Sequence, residues 1–291
     1  ICNVVNLYYT LLMLDRQNKI VTDMATLTKS TWDMMQLQMD YGRARSTSVQ
    51  SAQSAYYSVQ TQATDIKRQI REAENSLSLL MGEPAHSIAR GTLDNQNLPS
   101  NFSGGVGVEL LSNRADVHAY EMSLAQCFYN VNEARARFYP SLTITGTGGW
   151  SNGNGMVNPA KLLFNAIAGL TQPIFMQGKL KAGLRVAEDQ YKIAYNKWQN
   201  SILTAGSEVS NALVAYNAAN EKNQLYTQQI DILKKNVEQT QMLYSQSSSS
   251  YLEVITAQQN LLNAEISQVQ DQFSKLQAIV NLYYALGGGS K

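Results

Sequence analysis

Charge is scarce in this chain: Asp, Glu, Lys and Arg make up 15% of the 291 residues, and the net charge is +1. No basic field is present to attract nucleic acid. Cysteine occurs twice, as Cys2 and Cys127, which is too little for a disulfide framework and says little about compartment. Cys2 has no apolar signal region before it, so a thiol within a helix suits it better than a lipid anchor. No apolar run reaches the roughly 18 residues of a membrane-spanning helix. Catalytic groupings are missing as well. His86 and His118 have neither Cys nor His beside them at ligand spacing, and Glu121 belongs to no nucleophile motif. The GTGG at 146–149 lacks the helix and lysine of a phosphate loop. Nothing here calls for an enzyme, a metal or a cofactor.

Proline and glycine are also rare, and their distribution is uneven. The 41 residues from Phe138 to Gly178 hold three of the five prolines and seven of the eighteen glycines. Within them Pro140–Trp150 alternates, with Leu142, Ile144, Gly146, Gly148 and Trp150 on one face and Ser141, Thr143, Thr145, Thr147 and Gly149 on the other. Period two predicts a strand. After a turn-rich link, Leu162–Phe175 places Leu162, Phe164, Ala166, Ala168 and Leu170 on one side, with Leu163 and Ile167 breaking the pattern. The expectation is a β-hairpin between helices. Each strand is of the ~10-residue length that crosses a bilayer when tilted, and an apolar face would equally suit a hairpin laid on a soluble core.

Outside this island the chain reads as long helix. No proline occurs in residues 1–83, and the 80 residues from Ser207 to Leu286 contain neither proline nor glycine. Helices are predicted at about 1–40, 46–81, 108–137, 179–245 and 250–286, with tips at Gly42 and at SQSSSSY, 245–251, and an irregular connector at 82–107. Two return helices carry heptads. Val49, Ala52, Tyr56, Val59, Ala63, Ile66, Ile70, Ala73, Leu77 and Leu80 recur at 3,4 spacing, as do Leu252, Ile255, Gln259, Leu262, Ile266, Val269, Phe273, Leu276, Val280 and Tyr283. A sustained 3.5-residue period predicts left-handed coiled-coil packing. At about 1.5 Å per residue the 179–245 helix is about 100 Å long, so two shorter helices end to end would cover it.

An internal repeat fits the same order. At an offset of 205, Asn6 matches Asn211, Asn18 matches Asn223, Val49 matches Val254, Ala52 matches Ala257 and Gln53 matches Gln258. The two heptads superpose better at 203, so the register stays open. Applied to the hairpin, the repeat places a sibling upstream of residue 1, and the expectation is of a chain lacking a first hairpin and its leading helix.

Particular stretches narrow the class. These are LSNRADV at 111–117, EARARFYPSLTITG at 133–146, GLTQPIFMQGKLKAGLRVA at 169–187, EVSNALVAY at 208–216, YLEVITAQQNLLNAE at 251–265 and VNLYYALGGG at 280–289. In order and motif the chain resembles the TolC family of outer-membrane efflux ducts, especially its lipoprotein branch. It departs from the family at Ala115, where the pattern has proline, and at Ser247, where it has the tip glycine.

The resemblance implies a mainly α fold with a β-hairpin: a homotrimer whose long antiparallel helices form an α-barrel in the periplasm, and whose hairpins join a twelve-stranded transmembrane β-barrel. The divisions would be 1–81, a periplasmic helical hairpin; 82–107, an equatorial connector; 108–137 with 179–286, the helical tunnel; 138–178, the outer-membrane hairpin; and 287–291, a tail. Leu142, Ile144, Trp150, Phe164 and Leu170 would face lipid, and Ser141, Thr143, Thr145 and Thr147 the lumen. Counted from Tyr244, the family's acidic gate positions fall on Glu253 and Thr256 and its basic one on Ser249. Arg43 and Arg45 would pair with Glu253 of a neighbouring hairpin, or serve only as solvated tip charges. Gly42, Ala44, Ser46, Ser247, Ala52 and Ala257 would form the tips on which a periplasmic adaptor docks, and an inner-membrane efflux pump would complete the pathway. No nucleic acid is implied. The rivals are a periplasmic adaptor, which would need compact β-domains, and a structural trimeric coiled-coil protein, which would need neither repeat nor antiparallel returns.

Overall fold

A computed structural model describes residues 2–96, 114–150, 162–246 and 250–288. In chain order it contains α1 (Cys2–Asp40), α2 (Ser46–Met81), a 3₁₀ turn (Leu93–Asn95), α3 (Ala115–Ala136), β1 (Ser141–Trp150), β2 (Leu162–Thr171), α4 (Lys179–Ser245) and α5 (Tyr251–Ala285). The predicted helices 46–81 and 179–245 are present with the same bounds. Residues 108–113 of the predicted third helix lie outside the described residues, and α3 begins at Ala115. The second strand stops at Thr171 instead of Phe175, because Pro173 has no N–H to give to the ladder.

The chain divides into two compact units, Ile1–Leu110 with Gly206–Lys291, and Leu111–Ala205, so that α4 contributes to both. In the first unit α1 packs against α2 and against α5. The core joins Leu11, Leu12, Leu14 and Val21 of α1, Val59, Ile66, Ile70 and Leu77 of α2, Ile230 and Val237 of α4, and Leu262, Val269, Phe273 and Leu276 of α5. Nearly all of the α2 heptad is buried, as expected of a coiled-coil seam, but its last member, Leu80, is 53% exposed. The helix closes there on Gly82 at φ +75°, whose N–H and that of Glu83 satisfy the carbonyls of Leu79 and Ser78.

α5 carries two seams, of which the hydrophobic heptad predicts one. The expected seam has Leu262 fully buried, with Val269, Phe273, Leu276 and Val280. Its predicted polar member, Gln259, is exposed, and the neighbouring Gln258 is buried instead, donating from Nε2 to Thr31 Oγ1 of α1 at 2.8 Å. The second seam runs Val254, Ala257, Leu261, Ala264, Asp271, Ala278, Leu282 and Ala285, all buried. Gln268 and Lys275 fall at the same spacing and donate to Thr227 and Asn220 of α4. Its small and polar residues hid it from a hydrophobic count.

This second seam settles the repeat. Asn18 and Asn223 each hold a buried side-chain oxygen without a partner, and each accepts, on its backbone oxygen, a hydroxyl from the residue four later, Thr22 and Thr227. Both pairs differ by 205 (223 − 18 and 227 − 22). At that offset the α2 seam superposes on the second seam of α5. The better match at 203 arose because the conspicuous α5 seam has a different job, contacting α1 across the repeat boundary.

In the second unit α3 lies along the first part of α4, with the Phe128 and Tyr191 rings 6.4 Å apart and Arg135 3.7 Å from Glu188. Ala187, Ala194 and Ser201 keep a seven-residue spacing of buried positions on α4. Between α3 and α4 the two strands form an antiparallel sheet of their own.

The two leucines of the predicted seams give a direct test. Leu262→Ala should lower the stability of the folded chain by about 3 kcal/mol in a urea titration, since it empties a fully closed site. Leu80→Ala should stay within ~0.5 kcal/mol. Equal losses would contradict the packing described.

Candidate functional site: a strand hairpin and two joined helical tips

The sheet register decides which strand residues share a face. Leu142 pairs with Leu170, Ile144 with Ala168, Gly146 with Ala166, Gly148 with Phe164 and Trp150 with Leu162. Directly paired residues project to the same side of an antiparallel sheet. Leu142, Ile144 and Leu170, three of the five residues expected to face lipid, therefore share one face, and the side chains of Trp150 and Phe164 lie outside those described. Ser141, Thr143, Thr145 and Thr147 share the other, opposite Thr171, Gly169, Ile167 and Asn165. The apolar face is open, with Leu142 65% and Ile144 74% exposed. Ser141 and Thr143 return their hydroxyls to the carbonyls of Thr171 and Gly169.

The helical tips lie together. α1 ends on Gly42 at φ +69°, with Gly42 N–H bonding Met39 O and Arg43 N–H bonding Gln38 O, a turn that glycine adopts at least cost. α5 starts on Ser250, whose hydroxyl accepts from Leu252 N–H. Met35, Val49 and Ala52 form a small core covered by Trp32, Met39, Tyr244, Tyr251 and Ile255, which draws both tips into one body. Tyr244 is half-buried there, and burial raises its hydroxyl pKa. Glu253 and Thr256 line a separate cleft of about 400 Å³ between α4 and α5, together with Asn236, Thr240 and Asn260. Arg43 and Arg45 are exposed and, among the described residues, form no ion pair. Gly42 and Ser46 are exposed and Ala44 is partly so. Ala52 and Ala257 are buried within the helical packing rather than presented on its surface. Ser247 and Ser249 lie outside the described residues.

A charged clasp also appears that no local pattern announced. Arg90, in the connector, donates through Nε and Nη2 to Asp15 of α1, and through Nη1 to Glu74 of α2 at 2.6 Å and to Ile88 O at 3.0 Å. Glu74 is 4% exposed in its side chain and also takes Arg71 at 3.0 Å. Burial pushes the Glu74 carboxyl up, but the Arg90 hydrogen bond and the charges of Arg90 and Arg71 outweigh it and hold the pKa below the usual range. Asp15 is 75 residues from Arg90, so only the folded chain reveals the grouping. Arg114 and Asp116, the remnant of the family's Arg-Pro-Asp, form a bidentate pair at 3.0 and 2.7 Å where α3 begins. That pairing with Arg114 holds the Asp116 carboxyl low.

The family model described as outer membrane efflux protein matches residues 106–288. The chain belongs to that family. It is 30% identical over 276 residues to the solvent efflux pump outer membrane protein SrpC of Pseudomonas putida, covering 92% of this chain and 56% of that protein. It is 27% identical over 292 residues to the pyoverdine export outer membrane protein OpmQ of a P. putida strain, covering 99% of this chain and 61% of that protein. The chain thus spans little more than half the length of these curated relatives. Among solved structures it matches VceC of Vibrio cholerae with a TM-score of 0.91 at 23% identity, over 100% of this chain and 70% of that one. CusC matches with a TM-score of 0.88 at 23% identity, over 99% and 68%. At such identities these likenesses define the fold, that of a TolC-like channel. Family membership places the protein in the outer membrane with a helical periplasmic extension.

The clasp makes a prediction about acid. A carboxyl whose folded pKa is depressed adds stability that is complete above its unfolded value, ~4.3, and is lost as pH falls through the lower folded value. The melting temperature of the wild type should therefore exceed that of Glu74→Gln at neutral pH, with the gap closing as pH drops below about 4. A gap independent of pH would contradict the assignment.

Proposed function

We propose that the chain forms part of the wall of an efflux duct, a conduit rather than an enzyme, which passes small molecules from an inner-membrane pump and its periplasmic adaptor to the cell exterior. The observation that carries the reading is the hairpin: ten paired residues per strand, an open apolar face and a polar face. Strands of that length cross the hydrocarbon layer when tilted, and in lipid the outer edges of a lone hairpin would leave several kcal/mol per backbone group unsatisfied. Closure into a barrel removes those edges. Three subunits with four strands each would close twelve, and two of each four lie in these residues.

The helices support a homotrimer independently. Tyr9, Ile20 and Leu27 of α1 sit in or against the core. Their counterparts at the 205 offset are Val214, Leu225 and Ile232 of α4, which are exposed. By the repeat, that open side of α4 takes α2 of the next subunit as α1 takes α5. Polar Gln, Asn, Ser and Thr elsewhere suit a wet tunnel wall.

The gate is assigned to the joined tips: Glu253 and Thr256 in their cleft, Tyr244 beside the first tip, Ser249 at the second, and Arg43 and Arg45 as partners for Glu253 of a neighbour. Three copies of Glu253 around the axis would favour cations. Gly42, Ala44, Ser46 and Ser247 are assigned to the adaptor, with Ala52 and Ala257 buried in the helical packing. Leu142, Ile144, Trp150, Phe164 and Leu170 face lipid, and Ser141, Thr143, Thr145 and Thr147 the lumen.

In a planar bilayer, Glu253→Ala in the full-length protein should raise single-channel conductance and weaken cation preference; unchanged values would sink the gate role. Gly42→Trp should abolish co-purification of the adaptor while the trimer persists, and an adaptor that still co-purifies would refute the docking assignment.

A further inference from the structure

The base of the hairpin, where α3 enters β1 and β2 leaves for α4, borders an open pocket of about 670 Å³. Its lining combines apolar residues, among them Pro140, Met176, Leu180 and Leu184, with the cations Arg137 and Lys179. Arg137 is engaged by Glu133 at 2.8 Å. Among the described residues Lys179 forms no ion pair, and neither do the nearby Lys181 and Arg185. Large apolar groups stand uncovered beside the opening: Ile174 is 80% and Phe175 94% exposed, in a stretch that belongs to no strand or helix. Tyr139 is exposed on the other strand's side of the base.

Such a grouping is costly in water and fitted to one place. Aromatic rings and basic side chains collect at the level of lipid headgroups, the rings bridging wet and dry and the cations meeting phosphate. The strands span about 33 Å at ~3.3 Å per residue, enough to put their base at one headgroup layer once tilted. We propose that this pocket holds the headgroup of an anionic phospholipid of the periplasm-facing leaflet, its phosphate on Lys179 and its acyl chains along Ile174 and Phe175. The inference rests on the reading that β1 and β2 lie in the bilayer. An anionic lipid is favoured over a zwitterionic one because Glu133, which would receive an ammonium group, is already held by Arg137.

The test uses the full-length protein in neutral detergent, titrated with phosphatidylglycerol, phosphatidylethanolamine or inorganic phosphate and read by native mass spectrometry. Saturable retention of phosphatidylglycerol is expected, about tenfold tighter than phosphatidylethanolamine and unaffected by millimolar phosphate. Lys179→Gln should lose about that tenfold, and Lys179→Arg should keep it. Equal retention of the two lipids by the wild type, displacement by free phosphate, or a Lys179→Gln protein that binds as the wild type does would overturn the proposal. Flotation with liposomes separates the two readings. A wild type that floats but retains lipid without selectivity overturns the lipid site alone; one that does not float overturns the channel reading as well.

Discussion

Unpaired backbone at the two outer edges of the hairpin is the constraint on which this molecule turns. Among the described residues β1 and β2 pair only with each other, and both faces of the sheet lie open. In water such a hairpin is marginal, because its single ladder and small contact area do not offset the entropy of ordering it. In a bilayer the apolar face is satisfied and the edges become the problem. Additional strands would resolve both, and the proposed barrel of several subunits would do so without leaving an edge.

The helices raise the same demand in a different form. α1 is covered on two sides, by α2 and by α5, whereas the equivalent of α1 in the second repeat, α4, receives Gln268 and Lys275 of α5 and leaves Val214, Leu225 and Ile232 in solvent. A row of large aliphatic side chains at that spacing is a seam without its partner. Among the described residues one copy of the chain thus has an open strand edge in one unit and an open helix seam in the other, and the proposed ring of copies would cover both. The connector is fastened by Arg90, whose two carboxylate partners, Asp15 and Glu74, come from adjacent helices.

Much of this was legible from residue order because the elements are long and their punctuation is sparse. Gly42 and Gly82 mark helix ends by the left-handed backbone they adopt, and the alternation from Pro140 identified both the strand and its apolar face. Reading failed where chemistry departs from the apolar rule. The second seam of α5 uses alanine, Gln268, Asp271 and Lys275, so large hydrophobic residues do not mark it, and the hydrophobic pattern alone does not separate an offset of 203 from one of 205. Leu80 has the right residue at the right spacing but sits where the helix ends, beyond the reach of its partner. The clasp at Arg90 and the pocket at Lys179 join segments distant in sequence or separated by the hairpin, and no local pattern encodes them. The buried position of Ala52 likewise follows from the meeting of the two tips, and that of Ala257 from the main helical core.

Amide hydrogen exchange of β1 and β2 in the full-length, bilayer-embedded protein tests barrel closure most directly. A closed barrel predicts slow exchange for the amides that point away from the hairpin partner as well as for those that point toward it. Alternating protection, with outward-pointing amides exchanging as fast as free backbone, would contradict it.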